Sequence, residues 1–178
     1  MKFKLIFLIF FIFPCTFANT EIPKSTKNFG DWQVNCTNMN QLKNCEASHL
    51  ISIQNQSNKL EFKIVYNIFE NNNNSVEVLT IITPLGVNLL ERPAIIFEDS
   101  DKQINIPFVK CETYGCILTS NSSLDTEDNK VFKTIKNQLM NSNYFTFAIG
   151  AFMEKPFQLE VSLNLSLIHI SEPTRRIT

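Results

Sequence analysis

Apolar and polar residues alternate along much of this chain. In "LEFKIVYNIF", Leu60, Phe62, Ile64, Tyr66 and Ile68 fall on one face, and Glu61, Lys63 and Asn67 on the other. "VEVLTII" groups Val76, Val78, Thr80 and Ile82, and "FQLEVSL" turns Phe157, Leu159, Val161 and Leu163 inward against Gln158, Glu160 and Ser162. Successive side chains leave a pleated strand on opposite sides, so a period of two predicts half-buried antiparallel strands. The same texture predicts further strands over 32–36, 46–54, 94–97, 104–110, 116–120 and 144–152. In the 144–152 segment, Phe145, Phe147 and Ile149 oppose Tyr144, Thr146 and Ala148, and burial in a core is the expected fate of this aromatic run.

The breaks between these segments are chemically suited to turns. "NQSN", "ENNNNS" and "EDSDKQ" are rich in residues that tolerate turn geometry. "TPLGV" predicts a strand end and a tight turn at Gly86, and Gly115 beside Cys116 predicts a positive φ. One segment departs from period two. In "TEDNKVFKTIKNQLMNSN", Val131, Ile135 and Leu139 share a face with Phe132, which predicts a helix over about 127–140. Its acids, Glu127 and Asp128, stand near the start and Lys133 and Lys136 further on, an order that suits the helix dipole. Many short strands and one helix predict a mainly β protein, a sandwich or a partly closed barrel.

The N-terminus reads differently. Lys2 and Lys4 precede or interrupt an apolar run over 3–13, too short for a stable bilayer span, and "TFA" ends at Ala18 with small residues at the cleavage-determining positions. A signal peptide over 1–18 is expected, ahead of an uncleaved anchor and, poorer still, lipid attachment at Cys15. A flexible lead-in is expected over 19–28, and a single domain over 29–164. The full chain of 178 residues, 44% apolar, suffices for one domain of ordinary size.

Removing Cys15 with the leader leaves Cys36, Cys45, Cys111 and Cys116. An even set in an exported chain predicts two disulfides, for which three connectivities exist. Each of the pairs Cys36–Cys45 and Cys111–Cys116 flanks a plausible turn, so the spacing favours local pairing over a zinc site. There is no Cys-x-x-Cys redox motif. Trp32 stands four residues before Cys36, on the same strand face, where it could pack on a disulfide.

Candidate chemistry is sparse. His49 is the one histidine before the last fourteen residues, and it lies inside a predicted strand. No G-x-S-x-G, H-E-x-x-H, phosphate loop or dinucleotide fingerprint occurs. "EDSD" at 98–101 lacks the glycine and the downstream acid of a calcium loop. No cofactor is implied.

Several of these segments together resemble a known family. "FGDWQVNC", then Cys45, "TPLGV" and "PFVKCETYGC", in that order, are similar to the invasion-associated locus B family of exported proteobacterial proteins. The resemblance runs over about 29–163. It implies a small immunoglobulin-like antiparallel β-sandwich with one short helix, exported to the periplasm or beyond, with disulfides Cys36–Cys45 and Cys111–Cys116. The motif residues Phe29, Gly30, Asp31, Trp32, Pro84, Gly86 and Gly115 read as structural, and no catalytic residues come with the family. Its name refers to host-cell invasion, although members also occur in bacteria without that habit.

The chain departs from the family at its end. Residues 165–176, "LSLIHISEPTRR", resemble a translated sequencing-library adapter, so the native sequence is expected to stop near Asn164 and 165–178 to be non-native. Residues 19–164 then hold 12 basic and 16 acidic residues, a net charge of −4, which argues against nucleic-acid partners and against binding to an anionic membrane. The expected function is an exported, non-enzymatic protein binding an envelope or host-surface macromolecule, with no transmembrane span after cleavage. The alternatives are a periplasmic hydrolase using carboxylates or His49, and a structural envelope component.

Overall fold

Half-buried strands must pair with one another and share a core, and the computed structural model shows how these do so. It describes residues 25–39, 42–54, 59–71, 74–98, 103–123, 127–151 and 156–164. The expected signal peptide with Cys15, the first part of the lead-in (19–24) and the segment 165–178 lie outside the described residues.

Among the described residues the elements are β1 (Ser25–Phe29), β2 (Trp32–Met39), β3 (Leu42–Gln54), β4 (Lys59–Asn71), β5 (Asn74–Thr83), β6 (Ala94–Phe97), β7 (Gln103–Asn105), β8 (Phe108–Glu112), β9 (Gly115–Asn121), α1 (Glu127–Asn141), β10 (Tyr144–Ile149) and β11 (Phe157–Ser162). Seven strands form one sheet in the order β1-β2-β3-β4-β5-β9-β8, and four form a second in the order β11-β10-β6-β7. All pairings are antiparallel. The architecture is a β-sandwich with one short helix, not a closed barrel.

One core joins the two sheets. Phe62, Ile64, Tyr66 and Ile68 on β4 are buried, as their alternation predicts. Facing them, Phe145, Phe147 and Ile149 on β10 and Leu159 and Val161 on β11 are buried too. Phe62 meets Phe157 edge-on at 5.9 Å, and Phe97 meets Phe145 at 5.8 Å. Each fully buried side chain of this size contributes about 1.5–3 kcal/mol relative to exposure. Helix α1 adds Phe132, Ile135 and Leu139 to the same core, on the predicted face.

Four expectations need correction. The lead-in ends earlier than predicted, because Ser25–Phe29 pairs with β2 around a two-residue turn in which Gly30 has φ 55°. That strand is polar and lies at a sheet edge, so it carries no apolar period. The single strand expected over 104–110 is two strands in different sheets. Pro107 has no N–H for a ladder, and the Ile106 N–H leaves the sheet to bond the Pro93 carbonyl at 3.0 Å. On β5 the buried set is Leu79, Ile81 and Thr83, not the Val76 set, because the register sets Leu79 beside Tyr66. Lastly, β10 ends at Ile149, and Ala151 makes only an isolated bridge to Val87.

A polar tie holds α1 to the large sheet. Phe132 stacks on Tyr66 at 6.3 Å, the Tyr66 hydroxyl donates to Glu77, and Lys136 Nζ lies 2.6 Å from Glu77 Oε1. Burial, then the hydrogen bond and charge of Glu77, push the Tyr66 phenol far above its usual range. Lys136 thus answers a strand carboxylate, and no basic residue stands in the last turn of the helix.

Candidate functional site

The connection from β5 to β6, residues 84–93, crosses from one sheet to the other. Its sequence, "PLGVNLLERP", mixes turn formers with leucines. Gly86 takes φ 92°, as its turn requires. Val87 then turns inward, is buried and bridges Ala151. The Asn88 N–H bonds the Gly150 carbonyl at 2.9 Å, and the Asn88 Oδ1 accepts from the Leu90 N–H at 3.1 Å. These ties fix the loop and leave its leucines outside. Leu90 is 94% exposed, and Leu85 and Leu89 are each 56% exposed. A single exposed leucine is ordinary, but three within six residues of one anchored loop are not.

The loop's one acid, Glu91, is exposed, and its carboxylate lies over Gly150. Gly150 has no side chain, and a Cβ there would lie 2.1 Å from the Glu91 Oε2, so the Glu91 carboxylate occupies that space.

The second disulfide stands beside the start of this loop. Cys111 and Cys116 face each other across the β8–β9 hairpin with Cα atoms 3.9 Å apart. Cys116 also pairs with Thr83, the last residue of β5, whose hydroxyl donates to the Cys116 carbonyl at 3.2 Å. Gly115 has φ 146°, and its missing Cβ would stand 2.2 Å from the Thr83 carbonyl oxygen. The hairpin turn thereby presses against the strand that feeds the leucine loop. Tyr114 on that turn and Val109 on β8 are both mostly exposed. Lys110 and Glu112 pair at 2.9 Å on the sheet edge.

The other predicted residues gather elsewhere. Cys36 and Cys45 are direct cross-strand partners on β2 and β3, with Cα atoms 4.1 Å apart. Two strands, β4 and β5, separate them from the second disulfide in the sheet order. Trp32 shares a strand face with Cys36, but its ring sits against His49 at 5.4 Å and its Nε1 donates to the Ser162 carbonyl at 2.7 Å. Phe29 is half-buried, and Gly30 and exposed Asp31 make the turn before Trp32. Pro84 is half-buried at the root of the leucine loop.

His49 lies at this second cluster. Its Nδ1 is buried and makes no hydrogen bond. Burial lowers its pKa below the usual 6.5, and the Asp31 charge opposes this with a smaller effect. The unfolded chain therefore binds the proton more readily than the folded one. The associated stability is complete above 6.5 and is lost as pH falls through the lower folded pKa. Urea midpoints measured at descending pH are expected to fall more steeply for the native chain than for His49→Gln. Equal slopes would assign the acid sensitivity to other groups.

An open depression of about 490 Å³ runs along α1, lined by Lys133, Thr134, Lys136, Asn137, Gln138 and Met140. Among the described residues, no group of three or more His, Cys, Asp or Glu could hold a metal ion. Sequence reasoning singled out Pro84, Gly86 and Gly115 but missed Leu85, Leu89 and Leu90. The available signal was a leucine pair set among turn formers, outside any strand or helix period.

The comparisons with known proteins agree with this architecture. A family model described as "Invasion associated locus B (IalB) protein" matches residues 32–165. The crystal structure of invasion associated protein b from Bartonella henselae is similar, with a TM-score of 0.59 and 18% identity over 85% of this chain and 99% of that chain. At that identity the likeness speaks for the fold. No curated protein matches the chain.

Proposed function

The chain belongs to the invasion associated locus B family, and from that premise we propose that it is an exported, non-enzymatic binding protein whose contact surface is the loop 84–92. The partner is a component of the cell envelope or of a host surface. Two disulfides fit a chain that folds in an oxidising compartment. Among the described residues, no helix is long and apolar enough to cross a membrane. The leader sequence over 1–18 supplies the route out of the cytoplasm.

The observation that carries this reading is the exposure of Leu85, Leu89 and Leu90 on a loop whose backbone is tied down at Val87 and Asn88. Anchoring matters because a preordered loop loses little conformational entropy on binding. Placing a photo-crosslinking residue at position 90 in the native cell is expected to give a discrete adduct with an envelope or host-surface component. The same residue placed at Asn137, on α1, should give none. Equal labelling from both positions, or none from position 90, would remove the loop as the contact surface.

A further inference from the structure

We infer that β8, the edge of the large sheet, pairs with β8 of a second copy of this chain, antiparallel and in one register centred on Cys111. This goes beyond the reading of loop 84–92 as a contact surface and does not depend on it.

The edge is open by position. Among the described residues, β8 ends the seven-stranded sheet and has β9 on one side only. Val109, Lys110, Cys111 and Glu112 are all exposed. The second disulfide shows which way the backbone groups of this edge point. Opposed residues of an antiparallel pair alternate between two kinds of position. One kind exchanges hydrogen bonds, with Cα atoms about 5.5 Å apart, and the other exchanges none, at about 4.5 Å. Cys111 and Cys116 oppose each other with Cα atoms 3.9 Å apart, so theirs is a position of the second kind. The Cys111 N–H and carbonyl therefore point away from β9, toward the open edge. A strand laid along that edge can exchange both bonds with Cys111.

Charge selects the strand and its register. Lys110 and Glu112 flank Cys111, share one face of the sheet and pair at 2.9 Å. When two copies of β8 run antiparallel with Cys111 opposite Cys111, Lys110 of each copy lies directly opposite Glu112 of the other. Both pairs fall at the closer positions, where facing side chains approach most. The four charges then alternate in sign around a two-fold axis, which makes a network rather than a lone surface pair. Sliding one strand by two residues sets Lys110 against Lys110 in one direction and Glu112 against Glu112 in the other. Like charges directly opposite are destabilising. Charged residues ordinarily keep a sheet edge from pairing. Here they oppose a misplaced copy and fit a correctly placed one. The register shift between Phe108 and Lys110 ends the regular ladder on that side. The joint is therefore short, and the association weak and reversible.

The test uses the full-length chain, exported and purified from periplasmic extract with both disulfides formed. Sedimentation velocity over a rising concentration series should show the native chain passing from monomer to dimer mass. Lys110→Glu and Glu112→Lys, each with the native near-ultraviolet spectrum, should each weaken the dimer about tenfold or more. An equimolar mixture of these two variants should recover it, because the all-acidic edge of one then faces the all-basic edge of the other. The combined variant Lys110→Glu with Glu112→Lys should dimerise with itself as the native chain does. In the native dimer the Cys111 amide should exchange with deuterium more slowly than in the dilute monomer. A native chain that stays monomeric up to about millimolar concentration overturns the inference. So does a dimer that either single variant leaves intact, a mixture of the two that stays monomeric, or a Cys111 amide that exchanges equally fast in both states.

Discussion

Reducing both disulfides is expected to lower the unfolding free energy of this protein by about 5 kcal/mol, out of a total of the order of 5–15 kcal/mol for a domain of this kind. The separations within the pairs are 9 residues for Cys36–Cys45 and 5 for Cys111–Cys116. In the chain-entropy account, each closure of that length removes about 2–3 kcal/mol of freedom from the unfolded state. Each bond joins residues already opposite one another in a ladder, so the folded state changes little on reduction. The loss is therefore felt in the unfolded ensemble. Two strands lie between the bonds, so their contributions should add. Urea unfolding followed by Trp32 fluorescence, with and without reductant, gives the total. The paired serine variants Cys36→Ser with Cys45→Ser, and Cys111→Ser with Cys116→Ser, give the parts. A reduced chain within about 1 kcal/mol of the oxidised one would contradict the entropic account.

Gly115→Ala is expected to cost about 3 kcal/mol or more, the largest single-residue effect among the motif glycines. Two costs combine at this position. A φ of 146° strains any residue with a Cβ, and that Cβ would stand 2.2 Å from the Thr83 carbonyl oxygen, with Ile82 Cγ2 at 3.2 Å. Both neighbours belong to β5, which cannot yield without parting from β9. Gly86→Ala separates the two costs. Gly86 has φ 92° but nothing within 4 Å of its would-be Cβ, so it should lose only the backbone component, about 1–2 kcal/mol. Equal losses in the two variants, measured as urea midpoints at constant slope, would show that the close approach to Thr83 carries no weight. The experiment also bears on the leucine loop, since Gly115 seats the hairpin against the strand that leads into it.

Much of this architecture was legible in the residue pattern, and the exceptions have physical causes. The faces of β4, β10 and β11 could be read because one side of each meets water and the other meets core. Helix α1 could be read because its period differs from that of every neighbour. The β5 face could not be read correctly. Val76, Val78 and Ile82 alternate as well as Leu79 and Ile81 do, and only the register with β4 decides between them. The polar β1 has no period to detect, and the switch of sheets at Ile106–Pro107 is a tertiary event marked in sequence by one proline. The pairing of the four cysteines followed from spacing. The leucine loop did not follow from anything local, because exposure depends on what the rest of the chain brings near. Sequence placed Trp32 on the face of Cys36, yet its partners came from β3 and from β11, at the far end of the fold.

That last contact bears on the order of assembly. The Trp32 indole bonds a carbonyl 130 residues later in the chain. A polypeptide emerging from its N-terminus can zip up the β1–β4 hairpins early, since those ladders are local. It cannot seat this tryptophan until β11 arrives, and contacts of such long sequence separation form late. The half-finished sheet therefore keeps one apolar face open until β11 has been made. Its late lock is a single indole, Trp32, closing on β11.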